Sequence, residues 1–229
     1  MNPKTIRLAF RASLPVMAGY VVLGLGFGVL LSNQGYSFIW AFLMSLTIYA
    51  GSMQYAALDL ISGGASLITT ALMTLMINAR HFFYGLSMLD KYQDVGKARP
   101  YLIFALTDET YSLVCSEVPE GAEPKPYYLF VSLFDQIYWV TGSTLGALLG
   151  PILPFDSTGM DFAMTALFVV IFVEQWLSAK THLPALLGLL ISVVCLILLG
   201  PTRFVIPSMV LITLSLALLR RRLEVAEHG

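Results

Sequence analysis

The chain has 229 residues, 57% of them hydrophobic and 12% charged, with a formal net charge of −1 at pH 7. A soluble domain carries about 25% charged residues, so half that share excludes a water-covered globule. Near-neutrality gives no electrostatic basis for binding nucleic acid, and the natural solvent of this composition is lipid.

Lys4, Arg7 and Arg11 precede an apolar run from Leu14 to Leu31. A signal peptide has the same order, but no Ala-x-Ala-like site follows. The run passes into SNQGYS and a second apolar stretch, so it reads as a retained first span. A spanning helix needs about 20 mostly apolar residues. The segments 14–32, 37–60, 65–89, 101–117, 127–150, 161–178, 183–199 and 203–219 approach that length, and the breaks between them carry turn chemistry. The expected fold is all-α: a polytopic helical membrane protein of about eight transmembrane helices, some broken or re-entrant, in one membrane domain over residues 1–229.

Orientation follows from Lys and Arg in the short loops. The N-terminal basic residues and Arg220, Arg221 and Arg222 put both termini in the cytoplasm, which an even number of crossings satisfies. Lys125 and Lys180 agree. Lys91, Lys97 and Arg99 fall outside on an eight-span count, unless segment 37–60 or 65–89 is re-entrant and the count is seven.

An ionisable side chain at bilayer depth costs roughly 2.5–3.5 kcal/mol on insertion scales, so it marks a pathway or a pair. In IYAGSMQYAA (48–57), Gly51 and Ser52 stand where a helix can bend or unwind, and the Gln54 amide needs partners. Close packing through Ala50, Gly51 and Ser52 is the competing reading. In MINARHFFYGLSMLD (76–90), Asn78, His81 and Gly85 share one helix side, while Arg80 and Tyr84 lie four apart on the adjoining one. Arg80 stays protonated and needs a carboxylate from the protein or a ligand, or else snorkels to an interface. His81 can relay protons near neutral pH.

In ALTDETYS (105–112), Asp108 and Glu109 point about 100° apart on a helix, so one can face Arg80 while the other titrates. Thr107 and Tyr111 flank Asp108. In LFDQIYWV (133–140), Asp135, Tyr138 and Trp139 share a face that lines a cavity or sits at an interface. In VEQWLSAKTHLP (173–184), Glu174 is a weaker proton-carrying candidate beside an interfacial belt of Trp176, Lys180 and His182. Asp59 is assigned to solvent. Cys115 and Cys195 lie inside apolar runs and match no metal or redox spacing, so no metal or cofactor is expected.

With YAGSMQYAA, NARHFFYGLSM, ALTDETYS and FVEQWLSAKTHLPALLGLL in view, the sequence resembles the AzlC family over nearly its whole length. That family supplies the large subunit of two-component branched-chain amino acid exporters (LIV-E type). The Asn-x-Arg-His-x-x-Tyr and Thr-Asp-Glu-x-Tyr patterns are the specific pieces. The resemblance implies a permease of the bacterial inner membrane that exports Leu, Ile, Val and sometimes Met with a small hydrophobic AzlD-like subunit. It places Gln54, Asn78, Arg80, His81, Asp108 and Glu109 in the pathway. One departure is His-Phe-Phe-Tyr at 81–84, bulkier than the aliphatic residues expected there, which narrows a pocket.

The reading that follows is a proton-driven secondary transporter. Gly51, Ser52, Gln54, Asn78, Arg80, Tyr84, Asp108, Tyr111 and Asp135 form the pathway, and His81, Glu109 or Glu174 carries the coupling proton. Its partners are an amino-acid substrate, the AzlD-like subunit and the lipid bilayer. An intramembrane enzyme would need a nucleophile with its base, or a metal set, and no such pattern exists. A passive channel for another small zwitterionic or organic solute is the alternative, though polar groups scattered over several segments suit one off-centre cavity better than a repeated pore lining.

Overall fold

Most helices start at a proline or a capping side chain, and two of the apolar segments are broken in the middle. The computed structural model describes residues 2–152, 169, 172, 173, 176, 177, 179, 181–201 and 204–228. Two units emerge, Met1–Val169 and Val170–Gly229. In the first unit, α1 (Pro3–Asn33) has Pro3 in its first turn and Asn2 capping the Lys4 N–H. α2 (Phe38–Thr47) and α3 (Gly51–Ser62) divide the segment expected as one span. α4 (Leu67–Ser87) is capped by Ser66 Oγ, which accepts from the Thr69 N–H at 3.1 Å.

After a short 3₁₀ turn (Gly96–Ala98), α5 (Arg99–Phe104) and α6 (Asp108–Val114) divide a second expected span. α7 (Pro124–Leu149) begins on prolines that pre-set its first turn. The second unit contains α8 (Leu183–Leu199) and α9 (Val205–His228), which pack on each other, and Cys195 of α8 is buried.

The central pillar is α1 against α7, running parallel. Thr5 Oγ1 accepts from the Glu123 N–H at one end, and Ser13 and Tyr138 share a hydrogen bond of 3.1 Å further along. Gly150 reaches Ser32 at the other end. Gly24 and Gly28 of α1 face Gly142 and Gly146 of α7, two small-xxx-small pairs that bring the backbones together. A Cβ on Gly24 would stand 2.9 Å from the Ser143 amide nitrogen, and one on Gly28 would strike the Ser143 carbonyl.

Both divided segments are hairpins that enter and leave at the same end of the pillar. Ala41 of α2 packs with Leu31 at the α1 C-terminal end, and the Leu46 carbonyl accepts from Gln136, halfway along α7. α3 starts against Trp139 and returns until the Leu58 carbonyl accepts from Gln34 at 3.3 Å. The 10 residues of α2 and 12 of α3 rise about 15 and 18 Å, half of a bilayer core each.

The second hairpin comes from the other end. Leu102 of α5 and Val114 of α6 share a core with Ala9, Tyr92 and Tyr127, and Phe104 meets Tyr49 in the middle. Segments 37–60 and 101–117 therefore differ from simple crossings. A run of apolar residues is equally suited to a full span or to two half-spans, and the breaks decide.

This geometry also corrects the loop placement. Lys4 lies beside Gly121, and Lys125 lies 3.6 Å from the Cβ position of Gly96. The 88–99 loop is thus at the N-terminal end of α1, together with Lys91, Lys97 and Arg99. The connections at the opposite end, 34–37, 63–66 and 150–152, hold no Lys or Arg. Lys91 donates to the carbonyls of Cys115 and Ser116, the latter at 2.7 Å, and so closes the C-terminus of α6. Lys91→Ala is expected to cost about 1 kcal/mol, read as a lower melting temperature of the purified protein.

The exterior is greasy. Leu67, Ile68 and Phe82 of α4 are 88%, 75% and 72% exposed. Among the described residues, α1 is the one helix both long and apolar enough to cross a membrane by length and composition. α4 and α7, with 21 and 26 residues, are also long enough at about 1.5 Å per residue, but polar groups interrupt them.

Candidate functional site

Two helix breaks meet in the middle of the first unit. In the first, Ile48 to Ala50 separate α2 from α3, and Tyr49 takes φ +45°, a region other than glycine rarely enters. Tyr49 adopts this turn, while Gly51 is the first residue of α3. The first intrahelical bond of α3 joins the Gln54 N–H to the Ala50 carbonyl at 2.8 Å. The N–H groups of Gly51, Ser52 and Met53 precede it, and Ala50 has no side chain to cap them. In the second break, Ala105 to Thr107 separate α5 from α6. Thr107 caps that helix by accepting from the Thr110 N–H at 3.2 Å, and Asp108 and Glu109 occupy its first turn.

A small, partly open pocket with a cavity of about 30 Å³ lies between the breaks. Gly51 and Ser52 line one side, Thr107, Asp108 and Glu109 another, Arg80 and His81 of α4 a third, and Tyr20 and Trp139 complete the wall. Arg80 Nη2 is 3.0 Å from Asp108 Oδ2 and donates to Ser52 Oγ at 2.6 Å. It thereby ties α4 to both broken hairpins, and its Nε is buried without a partner. The other Asp108 oxygen accepts from Tyr84 at 2.6 Å. Tyr84 stacks on Tyr111 at 4.5 Å, and Ser87 donates to the Tyr111 hydroxyl.

Of the two adjacent acids, Asp108 faces Arg80, and Glu109 turns inward to accept from Tyr20 at 2.6 Å. His81 Nδ1 lies 3.2 Å from the Asn78 carbonyl, which only accepts; Nδ1 therefore carries hydrogen, and Nε2 is the nitrogen that gains or loses a proton.

Several expected residues lie outside the wall. Gln54 is fully buried, donating to Ser45 at 3.1 Å and accepting from Trp139 Nε1 at 2.8 Å. It bridges the first hairpin to the pillar. Trp139→Phe keeps one aromatic ring but removes that donor and leaves a cavity in place of the second ring, so a loss of about 2–4 kcal/mol in thermal unfolding of the purified protein is expected. The Asn78 side-chain oxygen is buried without a partner. Asp135 is fully buried behind the pocket, bonded to Thr110 at 2.9 Å through one oxygen while the other has no partner. Glu174 lies outside the described residues. Tyr20, Tyr49 and Thr110 carried no signal beyond being polar atoms on apolar segments, and Tyr20, alone in the middle of the first span, was the most readable of them.

A polar centre inside an apolar helical exterior defines a helical membrane protein. The chain belongs to the AzlC family, whose model, described as AzlC protein, matches residues 15–153. It is 43% identical to the branched-chain amino acid transport protein AzlC of Bacillus subtilis (strain 168), over 96% of this chain and 87% of that protein. It is also 43% identical to an uncharacterized membrane protein of Haemophilus influenzae, over 97% of this chain and 93% of that one. The inner membrane protein YgaZ of Escherichia coli (strain K12) is 27% identical over 69% of this chain and 67% of that one. No solved structure matches this chain.

Proposed function

We propose that the protein is a secondary transporter that exports Leu, Ile, Val and Met from the cytoplasm, coupled to protons and assisted by a small AzlD-like subunit. The observation that carries this reading is the polarity of the pocket. Its wall carries positive groups, the uncapped N–H groups of α3 and the Arg80 guanidinium, and negative ones, Asp108, which pairs with Arg80, and Glu109. A zwitterion matches both poles, its carboxylate on the α3 N-terminus and Arg80, its ammonium toward Glu109. The bare end of a helix broken at mid-depth is a recurrent carrier device for a substrate carboxylate. Asn78 supports the site from behind, and the apolar side chain of the substrate rests on Tyr20, Leu23 and Trp139. The transport name of the Bacillus relative supports the amino-acid class.

In the membrane, α1, α4 and α7 cross, and the two hairpins enter from opposite faces without crossing. Counting the apolar sequence segments 161–178, 183–199 and 203–219 as three more crossings, from their composition alone, gives six, an even number that keeps both termini in the cytoplasm. The basic end of the pillar then faces inward as the positive-inside rule asks. The whole chain acts as one permease domain in the bacterial inner membrane.

The test is efflux of preloaded radiolabelled leucine, valine and methionine from cells lacking their own exporters. The chain is supplied alone and with its small partner, with and without a protonophore. Protonophore-sensitive efflux of branched-chain substrates is the expected result. No efflux in any arm, with the protein present in the membrane, overturns the reading.

A further inference from the structure

Hydrogen-bonded groups form an unbroken line from the pocket wall to the interior behind it. Glu109 Oε2 is 2.6 Å from the Tyr20 hydroxyl, which is 2.6 Å from Thr107 Oγ1. Thr107 Oγ1 is 3.1 Å from Thr110 Oγ1, and that oxygen is 2.9 Å from Asp135 Oδ2. Tyr20, Thr107, Thr110, Glu109 and Asp135 are all buried, while Glu109 lines the pocket and Asp135 does not.

Counting hydrogens sets the state of this line. Four contacts join five groups, and each contact holds one hydrogen. The three hydroxyls supply three, so the fourth comes from a carboxylic acid. When it sits on Glu109, every hydroxyl donates toward Asp135; when it sits on Asp135, every hydroxyl donates toward Glu109. With both acids ionised, one contact would set lone pair against lone pair at hydrogen-bond distance in a buried site. Thr107 keeps the Thr110 N–H as a second donor in either direction, so neither arrangement leaves a hydroxyl unmatched.

We propose that Glu109, Tyr20, Thr107, Thr110 and Asp135 form a relay holding one shared proton, passed between an acid in the pocket and an acid behind it. Passage breaks one O–H bond and makes one at each link, and ends with Asp135 as acid and Glu109 as carboxylate. The inference rests on the proton-coupled reading and names the carrier within it. Arg80 and Asp108 stand on the Glu109 side, and His81 lines the same pocket. No described cation faces Asp135 within ion-pair distance; its carboxylate is balanced only when the proton is there. An incoming ammonium beside Glu109 draws the negative charge to the pocket and sends the proton to Asp135, which makes substrate binding and proton position one event.

Thr110 is the link to cut, because it does not itself line the pocket. Thr110→Val removes the hydroxyl next to Asp135 at nearly constant volume, and Thr110→Ser keeps it. The full chain is reconstituted in lipid vesicles, in the composition that supports efflux, and two rates are read with radiolabelled leucine. One is leucine–leucine exchange without a gradient, and the other is accumulation driven by an imposed pH gradient. Thr110→Val is expected to retain exchange while gradient-driven accumulation falls about 100-fold, the scale of a lost proton-transfer group, and Thr110→Ser restores it. Wild-type accumulation that ignores the gradient overturns the proton-coupled reading and the relay with it. Gradient-driven accumulation by Thr110→Val at the wild-type rate overturns the relay alone. Equal loss of exchange and accumulation in Thr110→Val assigns Thr110 a packing role and also overturns the relay.

Discussion

Arg80→Ala is expected to abolish leucine efflux and to lower the melting temperature of the purified protein. Arg80 holds Asp108 at 3.0 Å and Ser52 at 2.6 Å, so its removal cuts the one side chain that joins both hairpins to α4 and leaves the Asp108 carboxylate without its cation, held by Tyr84 only. Breaking a fully buried pair costs about 3–5 kcal/mol, but these side chains are 24% and 13% exposed. Screening reduces the expected loss to about 2 kcal/mol. The double variant Arg80→Ala with Asp108→Ala separates structure from transport, since deleting both partners removes the orphaned charge. Stability is expected to return for the most part while efflux stays absent. Efflux restored in the double variant would make the pair a strut and remove Arg80 from the binding scheme.

Gly28→Leu is expected to prevent the protein from accumulating in the membrane. Overpacking a core costs about 1–3 kcal/mol when side chains can shift, and occasionally more. Here the obstacles are the Ser143 carbonyl and the Ala147 amide, and Gly146 meets the Leu25 carbonyl in the same way. Backbone cannot move aside without parting α1 from α7. Gly85→Ala on α4 is the control, because a Cβ there meets nothing within 4 Å. Immunoblots of the membrane fraction and gel filtration in detergent check both. Normal yield of monodisperse Gly28→Leu protein would show that the parallel pillar does not need this contact.

The residues at the site were legible in the sequence to different degrees, for physical reasons. A guanidinium at bilayer depth demands a carboxylate, and the adjacent acids at 108 and 109 diverge on any helix, so one facing Arg80 and one facing away follows from charge and the helical repeat. Asp108 takes the pair, and Glu109 turns to Tyr20. The break near Gly51 was legible as small residues beside a polar amide, but the strained position fell on Tyr49, which no residue preference points to.

Gln54 reads as a pathway group because its amide needs partners; the partners are Ser45 and Trp139, inside the packing. The hairpins were hidden because 24 residues of mixed apolar sequence at 37–60 satisfy a crossing and a return equally well. The charge of the 90–100 loop was the available clue. Three basic residues fall on the outer face of an eight-span count, and the structure places that loop beside Lys4 and Lys125, at the end of the pillar where the other basic residues are.

The glycine contact between α1 and α7 also decides what can move. A joint made of backbone against backbone has no rotamers to exchange and no second packing to adopt. On the proposed transport reading α1 and α7 are the fixed part, and exposure of the pocket to one face or the other falls to the parts held by side chains, α4 and the two half-length hairpins.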